Sequence, residues 1–532
     1  MMRCMLASVL VLFLTACGSA SGGAPSDNAS AVVAIHEEPT RLNPILGPAM
    51  SYATMVESPM FPNLFRILPN GSLRPDLAAV VPTVANGGIS KDGLTYTFHL
   101  RHGVKWSDGA AFGAADVIAT YRLITNPNVQ AVTTDGYSLV KTAAIVNPFT
   151  VRFTLKTPYA PFLAGCWSNA LTGILPAHVF AGVSNVNTAP YNQAPTVTLG
   201  PFKFASWERG GAITLDANPL YYGPKPKLRH IVFQVMPDQN TILTALQAGS
   251  VNLAQLGPLQ VRDVLNTPHI DLHVFGHPSW EVAALNEHDP ILADARVRRA
   301  LEYGIDRAAI VEHVMRGYAE LIGDSFPPSS WAHDAAILPY PYDPKKAAAL
   351  LEQAGWKVGP GGVRVKNGVR LELTYSTTSG NPVREETEQI MQAQLAKIGV
   401  RLNISNYPAD VLFGDHLFHQ TFQIVEFQPT GGPDPDTRAY QADSCKAIPP
   451  TGANYGSWCD PRIDPLFVQE QRATDRAARK AAFTRIARIE NQEMPYLYLF
   501  SQKAVVATRG LDGYVSNPYA PATWNSEAWS VR

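Results

Sequence analysis

Ser90 to Ile124 reads SKDGLTYTFHLRHGVKWSDGAAFGAADVIATYRLI. Leu94, Tyr96, Phe98 and Leu100 alternate with threonines and a histidine, which predicts one strand with these four on its buried face. Ser107-Asp108-Gly109 is turn chemistry: Gly tolerates backbone angles that other residues resist, and Asp bonds to its own backbone. A helix is expected from about Ala114, with Val117, Ile118, Tyr121 and Leu123 on its apolar face. Read from the residues alone, the stretch is strand, turn and helix.

The same alternation continues outward. Asp238 is placed to cap a helix over Leu243 and Leu246 that ends at Gly249, before a strand from Val251 to Leu253. Asp343-Pro344 opens another helix as N-cap and first-turn proline, with Ala347, Leu350, Leu351 and Ala354 buried and Gly355 at its end. Leu371, Leu373 and Tyr375 alternate as a strand. Met391, Leu395 and Ile398 mark a helix closed by Gly399, and Val400, Leu402 and Ile404 resume a strand. Strand, helix, strand is the parallel βαβ unit. Ala477 to Glu493 reads as a late helix carrying Phe483, Ile486 and Ile489. The class expected is α/β with mixed sheets.

Composition narrows the function. The 532 residues suffice for about three domain-sized units of roughly 150 residues. A 46% hydrophobic share is that of a globular chain with a large core. The formal net charge is −1 and no basic stripe appears, so nucleic acid is not an expected partner. Met5 to Ala16 is a mostly apolar run behind Arg3, the length of a signal-peptide core and short of the about 20 residues a membrane span needs. It ends in Leu14-Thr15-Ala16-Cys17-Gly18, which resembles a lipobox. Cleavage there leaves Cys17 as a lipid-modified first residue; an ordinary small-residue cleavage site beside an incidental cysteine is the plainer alternative. Ser19 to Ala31 is small and polar, a flexible tether. The expectation is a leader over 1–16, a tether over 17–31, and an extracytoplasmic protein lipid-anchored to the plasma membrane.

In that oxidising setting Cys445 and Cys459, 14 residues apart in a proline- and glycine-rich loop, are expected to form a disulfide. Such a loop closure contributes on the order of 3 kcal/mol by the chain-entropy model. Two buried thiols, or a zinc site lacking its other ligands, fit the context less well. Cys166, beside Trp167, reads as a small buried hydrophobe.

As a string the opening stretch carries more. Asp92-Gly93-Leu94-Thr95-Tyr96, Leu100-Arg101, Gly103-Val104-Lys105-Trp106-Ser107-Asp108-Gly109 and Ala115-Asp116-Val117 resemble the fingerprint of the family 5 solute-binding proteins of ABC importers. The likeness extends through Glu38 to Pro44, Gly200 to Phe204, Asn218 to Tyr222, Asn286, Arg296 to Leu301, Ile305 to Arg307, Asn454-Tyr455, Asp475 to Arg479 and Met494 to Tyr496. It is strongest toward the dipeptide- and oligopeptide-binding lipoproteins. They share the Pro435-Asp436 segment, the Ser444-Cys445 spacing, and Asn454-Tyr455 followed by Trp458-Cys459.

That resemblance implies a two-lobed periplasmic-binding-protein fold of type II, with an extra subdomain and two crossing strands near Val282–Asn286 and Leu497–Ser501. It implies lobe I from 32–70, 196–282 and 500–532, the extra subdomain from 71–195, and lobe II from 283–499. It implies a monomer without cofactor that closes on a peptide and delivers it to a membrane permease. Backbone hydrogen bonds hold such a peptide as an added strand while roomy pockets take its side chains. By position in the family, Ala49, Met50, Ser51 and Tyr52 should face Trp280 and the segment Phe427 to Asp434, including Gly431 and Gly432, with Tyr455 and Tyr498 behind them. Ordinary core packing is the competing reading for each aromatic.

One departure bears on the ligand. In the dipeptide-binding branch a carboxylate three residues before the Asp-Pro pair receives the peptide's free amine. Here that pair is Asp434-Pro435, and Gly431 stands at the carboxylate's position. Either Asp434, Asp436 or Glu426 takes over, or the ligand carries no amine there: a blocked peptide, an oligosaccharide or another polar solute.

Enzyme and metal readings have weaker support. Ser138-Leu139-Val140-Lys141 matches the Ser-x-x-Lys of serine penicillin-recognising enzymes, but no Lys-Thr-Gly accompanies it. His416 and His419 could share a helix face, the seed of a metal or metal-chelate site.

Overall fold

A computed structural model describes residues 29–47 and 51–532. The proposed leader, Cys17 and most of the tether, together with Ala49 and Met50, lie outside the described residues. The quoted stretch folds as strand, turn and helix, but the strand is shorter than read: Leu94 and Leu100 flank it, and Leu94 is only half-buried. Thr95–His99 is a strand with Tyr96 and Phe98 buried. Asp108 accepts the Ala110 N–H at 3.0 Å in the turn, where Gly109 takes φ 94°. Ala114–Ile124 is the helix, and the Asp116 carboxylate accepts the Gly113 N–H at its start.

Other local signals map closely. Asp238 accepts the Thr241 N–H at 2.7 Å over Gln239–Ala248, and Gly249 ends that helix at φ 81°. Asp343 caps Pro344–Gln353. Glu372–Ser376 and Arg401–Ile404 pair in parallel around Pro382–Ala396. The strand expected at Val251–Leu253 begins only at Leu253. The Asn252 amide oxygen accepts the Val32 N–H at 2.9 Å, so that residue ties two strands together by its side chain.

Among the described residues the main sheet has eleven strands and runs through both lobes. From one edge its order is Arg401–Ile404, Glu372–Ser376, Ile424–Phe427, Ile270–Leu285, Tyr496–Arg509, Leu253–Leu256, Ser30–Ile35, His230–Val235, Ala212–Ala217 and Phe202–Trp207, with Ala319–Glu320 also paired to Tyr496–Arg509. The two long central strands are antiparallel. Ile270 to Gly276 pair with Arg509 to Lys503, and Trp280 to Ala284 with Ser501 to Tyr496. Between these blocks the register slips: four steps on the first strand face two on the second, across His277-Pro278-Ser279. Pro278 has no N–H to give the ladder, so the irregularity falls where the sequence places a proline. It precedes the Val282–Asn286 span read from the sequence as the first crossing.

Each lobe has its own core. Leu285, Val297, Leu301, Leu351, Leu373, Met391, Leu402 and Leu497 pack together in lobe II. Val33, Ile35, Phe65, Phe98, Phe153, Trp167, Phe202 and Phe233 belong to one continuous core in lobe I. The three-stranded sheet of Thr95–His99, Thr150–Leu155 and Val140–Asn147 joins that core through Phe98, whose ring meets Phe65 edge-on at 5.6 Å. Cys445 and Cys459 are disulfide-bonded, and Cys166 is a buried free thiol. No helix among the described residues is long and apolar enough to cross a membrane. The lobes touch across the cleft: the Ala160 N–H donates to the Gln471 carbonyl at 2.8 Å, and the Tyr519 hydroxyl to that of Ser329.

Candidate functional site

The slip in the crossing strands leaves backbone groups for a loop to use. Ile424–Phe427 pairs with the first crossing strand, Val282 opposite Phe427, and the chain beyond keeps close to it. The Trp280 N–H donates to the Pro429 carbonyl at 3.1 Å, Ser279 bridges Thr430, and the Gly431 N–H donates to the Pro278 carbonyl. Gly431 is therefore held against the bulge. A Cβ there would lie 3.2 Å from the Pro278 oxygen and 3.4 Å from the Trp280 ring. Its φ is outside the left-handed region, so close approach rather than backbone freedom is what favours glycine.

Beside it, between the lobes, lies a cavity of about 210 Å³. Thr54, Met55 and Leu171 form one wall with Asn517 to Ala522. Gln255, Phe275, His277, Pro278, Thr430 and Gly431 complete it. None of its described lining residues is Asp, Glu, Lys or Arg. The His277 Nδ1 lies 2.9 Å from the Ser279 Oγ, and burial pushes the imidazole pKa down to about 4. A neutral imidazole at neutral pH keeps the cavity free of formal charge.

The carboxylates named as stand-ins for Gly431 are all engaged elsewhere. Asp434 receives Arg479 on both oxygens, at 2.6 and 2.7 Å, and Arg479 also binds Glu470. Asp436 accepts Gln471 at 3.0 Å, and its pKa is raised, chiefly by burial. Burial and the neighbouring Asp436 push the Glu470 pKa up to about 11, against the pull of Arg479. Glu426, fully buried, accepts the Tyr375 hydroxyl at 2.8 Å, and burial followed by Glu281 raises its pKa. None of the three lines the cavity at Gly431.

The aromatic candidates divide. Trp280 touches the Gly431 position, yet it is only 4% exposed. Phe427 and Tyr498 are core residues rather than cleft walls: they pack with Val282, Leu412 and Val425, and the Tyr498 hydroxyl faces Glu490 at 3.4 Å. Strand alternation explains this, since Tyr496 and Tyr498 point to one face and that face is covered. Tyr455 is half-buried with its ring edge-on to Phe427 at 5.6 Å. Tyr52 lies on Ser51–Glu57, with its ring 6.1 Å from that of His36. Gly432 sits behind Gly431, where a Cβ would meet the Thr437 hydroxyl at 3.1 Å.

His277, Gln255, Phe275 and the Asn517–Ala522 segment were not singled out from the sequence. A Pro inside a strand pattern was the available signal for His277-Pro278. Ser138 and Lys141 are both exposed, on Tyr137–Leu139 and Val140–Asn147 respectively. His416 faces Thr421 and His419 faces Asp415, and no group of three potential metal ligands occurs among the described residues.

Comparison with known proteins agrees with this geometry. Residues 75–449 match the family described as bacterial extracellular solute-binding proteins, family 5 Middle. Protein XP55 of Streptomyces lividans is 28% identical over 489 residues, covering 91% of this chain and 86% of its own. The oligopeptide-binding protein AppA of Bacillus subtilis is 26% identical over 552 residues, covering 98% and 96%. Its structure with a nonapeptide superposes with a TM-score of 0.79 over 94% of this chain and 99% of that one. NikZ from Campylobacter jejuni in complex with Ni(L-His) is 27% identical, with a TM-score of 0.80 over the same shares. The chain belongs to family 5 of the bacterial extracellular solute-binding proteins.

Proposed function

We propose that this protein captures a peptide or peptide-like polar solute in the cavity beside Gly431 and hands it to the permease of an ABC importer. The observation that carries the reading is a charge-free interlobe cavity at the junction of the two crossing strands, with the loop Thr430-Gly431 on one side and the chain from Asn517 to Ala522 on another. Such a wall suits a ligand held by main-chain hydrogen bonds with loose side-chain pockets. Similarity to AppA, named for oligopeptide binding, supports it. In this reading Ala49, Met50, Ser51 and Tyr52 face the ligand from lobe I, opposite Trp280, just before the first crossing, and Gly431 and Gly432 of lobe II. Asp434, Phe427, Tyr455 and Tyr498 support that wall.

The ligand part nearest Gly431 carries no ammonium, because a buried charge needs a partner and the neighbouring carboxylates are already engaged by Arg479, Gln471 and Tyr375. An amino-terminally blocked peptide or an uncharged solute fits. The lobe and subdomain limits follow the family layout, with Cys17 as lipid anchor and the residues between it and Ser30 as tether; the tether expected to reach residue 31 is shortened because Ser30 and Ala31 pair in the main sheet. A metal chelate is the second reading, favoured by the likeness to NikZ.

Native mass spectrometry of protein purified from its own cells tests the reading by identifying what it carries. A binder releases that molecule unchanged and is stabilised by it, by about 2.7 kcal/mol at a hundred times Kd. Turnover abolished by Ser138→Ala would overturn it. Cys17→Ser should move the protein out of the membrane fraction; retention there would remove the anchor from the proposal.

A further inference from the structure

A second and larger cavity, about 360 Å³, opens on the far side of the Gly431–Asp434 loop. Its walls come from both lobes: Leu73, Ile89 and Leu163 from the extra subdomain, Trp331 and Arg476 from lobe II. The Tyr519 hydroxyl on the Ser329 carbonyl stands beside Gly71, and Tyr519 also lines the first cavity. The two spaces are thus neighbours divided by a tyrosine, with different chemistry. The first is smaller and holds no formal charge; the second is mainly apolar and is lined by Arg476 and by the ion pair of Arg479 with Asp434.

Trp331 is held for contact. Its indole N–H donates to the Pro433 carbonyl at 3.2 Å, its ring meets Phe483 edge-on, and two guanidinium groups lie near it, Arg476 at 4.8 Å and Arg479 at 5.2 Å. The cations differ in what remains to them. Arg479 is consumed by Asp434 and Glu470. Arg476 has no ion-pair partner among the described residues; it lies against Gly71 of the opposite lobe, and its neighbour Asp475 is used in capping the helix Arg476–Glu493. That helix begins at the cavity wall, where the Asp475 carboxylate offsets its positive end, so Arg476 is the charge left to meet a ligand.

We propose that this cavity is a second ligand site, taking a small apolar-bodied monoanion such as an aryl or alkyl carboxylate or sulfonate, with its body against Trp331 and Leu163 and its charge at Arg476. Apolar walls with one free cation select for a ligand having both an apolar face and an anionic group. Because the walls belong to different lobes, such a ligand favours their contact and raises affinity in the first cavity, and the coupling is reciprocal. The proposal stands independently of what the first cavity binds.

Fluorescence titration with 1-anilinonaphthalene-8-sulfonate tests it, with N-phenyl-1-naphthylamine as the same body without the charge. The intact protein should bind the sulfonate at one saturable site. Arg476→Gln should weaken the sulfonate at least tenfold and leave the neutral amine within twofold. Ala164→Trp, which fills the cavity, should remove both. Circular dichroism and a cooperative thermal transition establish that each variant is folded, and if Ala164→Trp does not fold, the Arg476→Gln comparison alone decides. Absence of saturable binding, or equal loss of both probes in Arg476→Gln, overturns the proposal.

Discussion

The two sides of one loop are built on opposite principles. At Gly431 the chain presents backbone and a charge-free cavity; three residues on, Asp434 enters a buried cluster with Arg479, Glu470 and Asp436. Charges inside a protein need partners, and a matched set holds its backbone at a defined position. The cluster therefore fixes the loop, which frees Gly431 from any structural charge and leaves it to approach Pro278 and Trp280. Within one short segment the acidic half, Asp434 to Asp436, serves rigidity, and the neutral half, Thr430 to Pro433, is left to face the cavity through Thr430 and Gly431.

Breaking the rigid half should have the largest effect. Arg479→Met leaves Asp434 and Glu470 without their shared cation, and removing one partner of a buried pair costs about 3–5 kcal/mol. A fall of several degrees in the thermal midpoint is expected, and an unchanged midpoint would show that the cluster does not hold the loop. Next comes the tie that follows it. Cys445→Ser with Cys459→Ser removes the bridge and should cost on the order of 3 kcal/mol. Denaturant midpoints measure that loss. Thiol counting on the unreduced Cys17→Ser protein should find Cys166 alone reactive after denaturation, and three thiols would refute the bridge.

Altering the neutral half should change selectivity more than stability. Gly431→Asp needs its neighbours to yield by only a few tenths of an ångström. A charge-assisted hydrogen bond contributes about 1.5–3 kcal/mol, so free-amine peptides should gain roughly ten- to a hundredfold over their acetylated forms. Calorimetry on matched peptide pairs reads this. A strong free-amine preference already present in the native protein would place a carboxylate in the cleft and erase the contrast.

The smallest effect is in pH dependence. His277 has its pKa lowered from 6.5 to about 4 by burial. Below 6.5 the unfolded chain takes up a proton that the folded protein refuses, so this residue's contribution to stability falls as pH drops from 6.5 toward 4. His277→Gln should lose that part of the pH dependence, about 1–2 kcal/mol after allowing for the ring's partial exposure. Urea midpoints for both proteins at pH 7 and pH 4.5 measure the difference; parallel behaviour would mean that the imidazole is protonated in the fold.

Much of the local structure was legible because its causes are local. Asp238 and Gly249 bracket a helix by capping chemistry within a few residues, and the alternation at Tyr96 and Phe98 states which face is buried. Tyr498, placed by position in the family, lay beyond that logic, since alternation shows that a residue lies on one face of a strand and not whether that face meets solvent or Leu412 and Val425.

By itself the sequence determined the family, the α/β class, the two cysteines that pair, and the substitution of glycine where a ligand carboxylate stands in the dipeptide-binding branch. Short-range periodicity, turn chemistry and long matching strings carry that information. Only the tertiary structure decided that one sheet runs through both lobes, that the slip falls at His277-Pro278-Ser279, and that Asp434 turns toward Arg479 while Gly431 faces the cavity. Each depends on contacts between residues far apart in the chain, such as Met55 with Thr523 and Pro278 with Gly431. The reason is physical: a side chain's charge and shape are set by its residue type, but its partners and its solvent are set by whatever the fold brings against it.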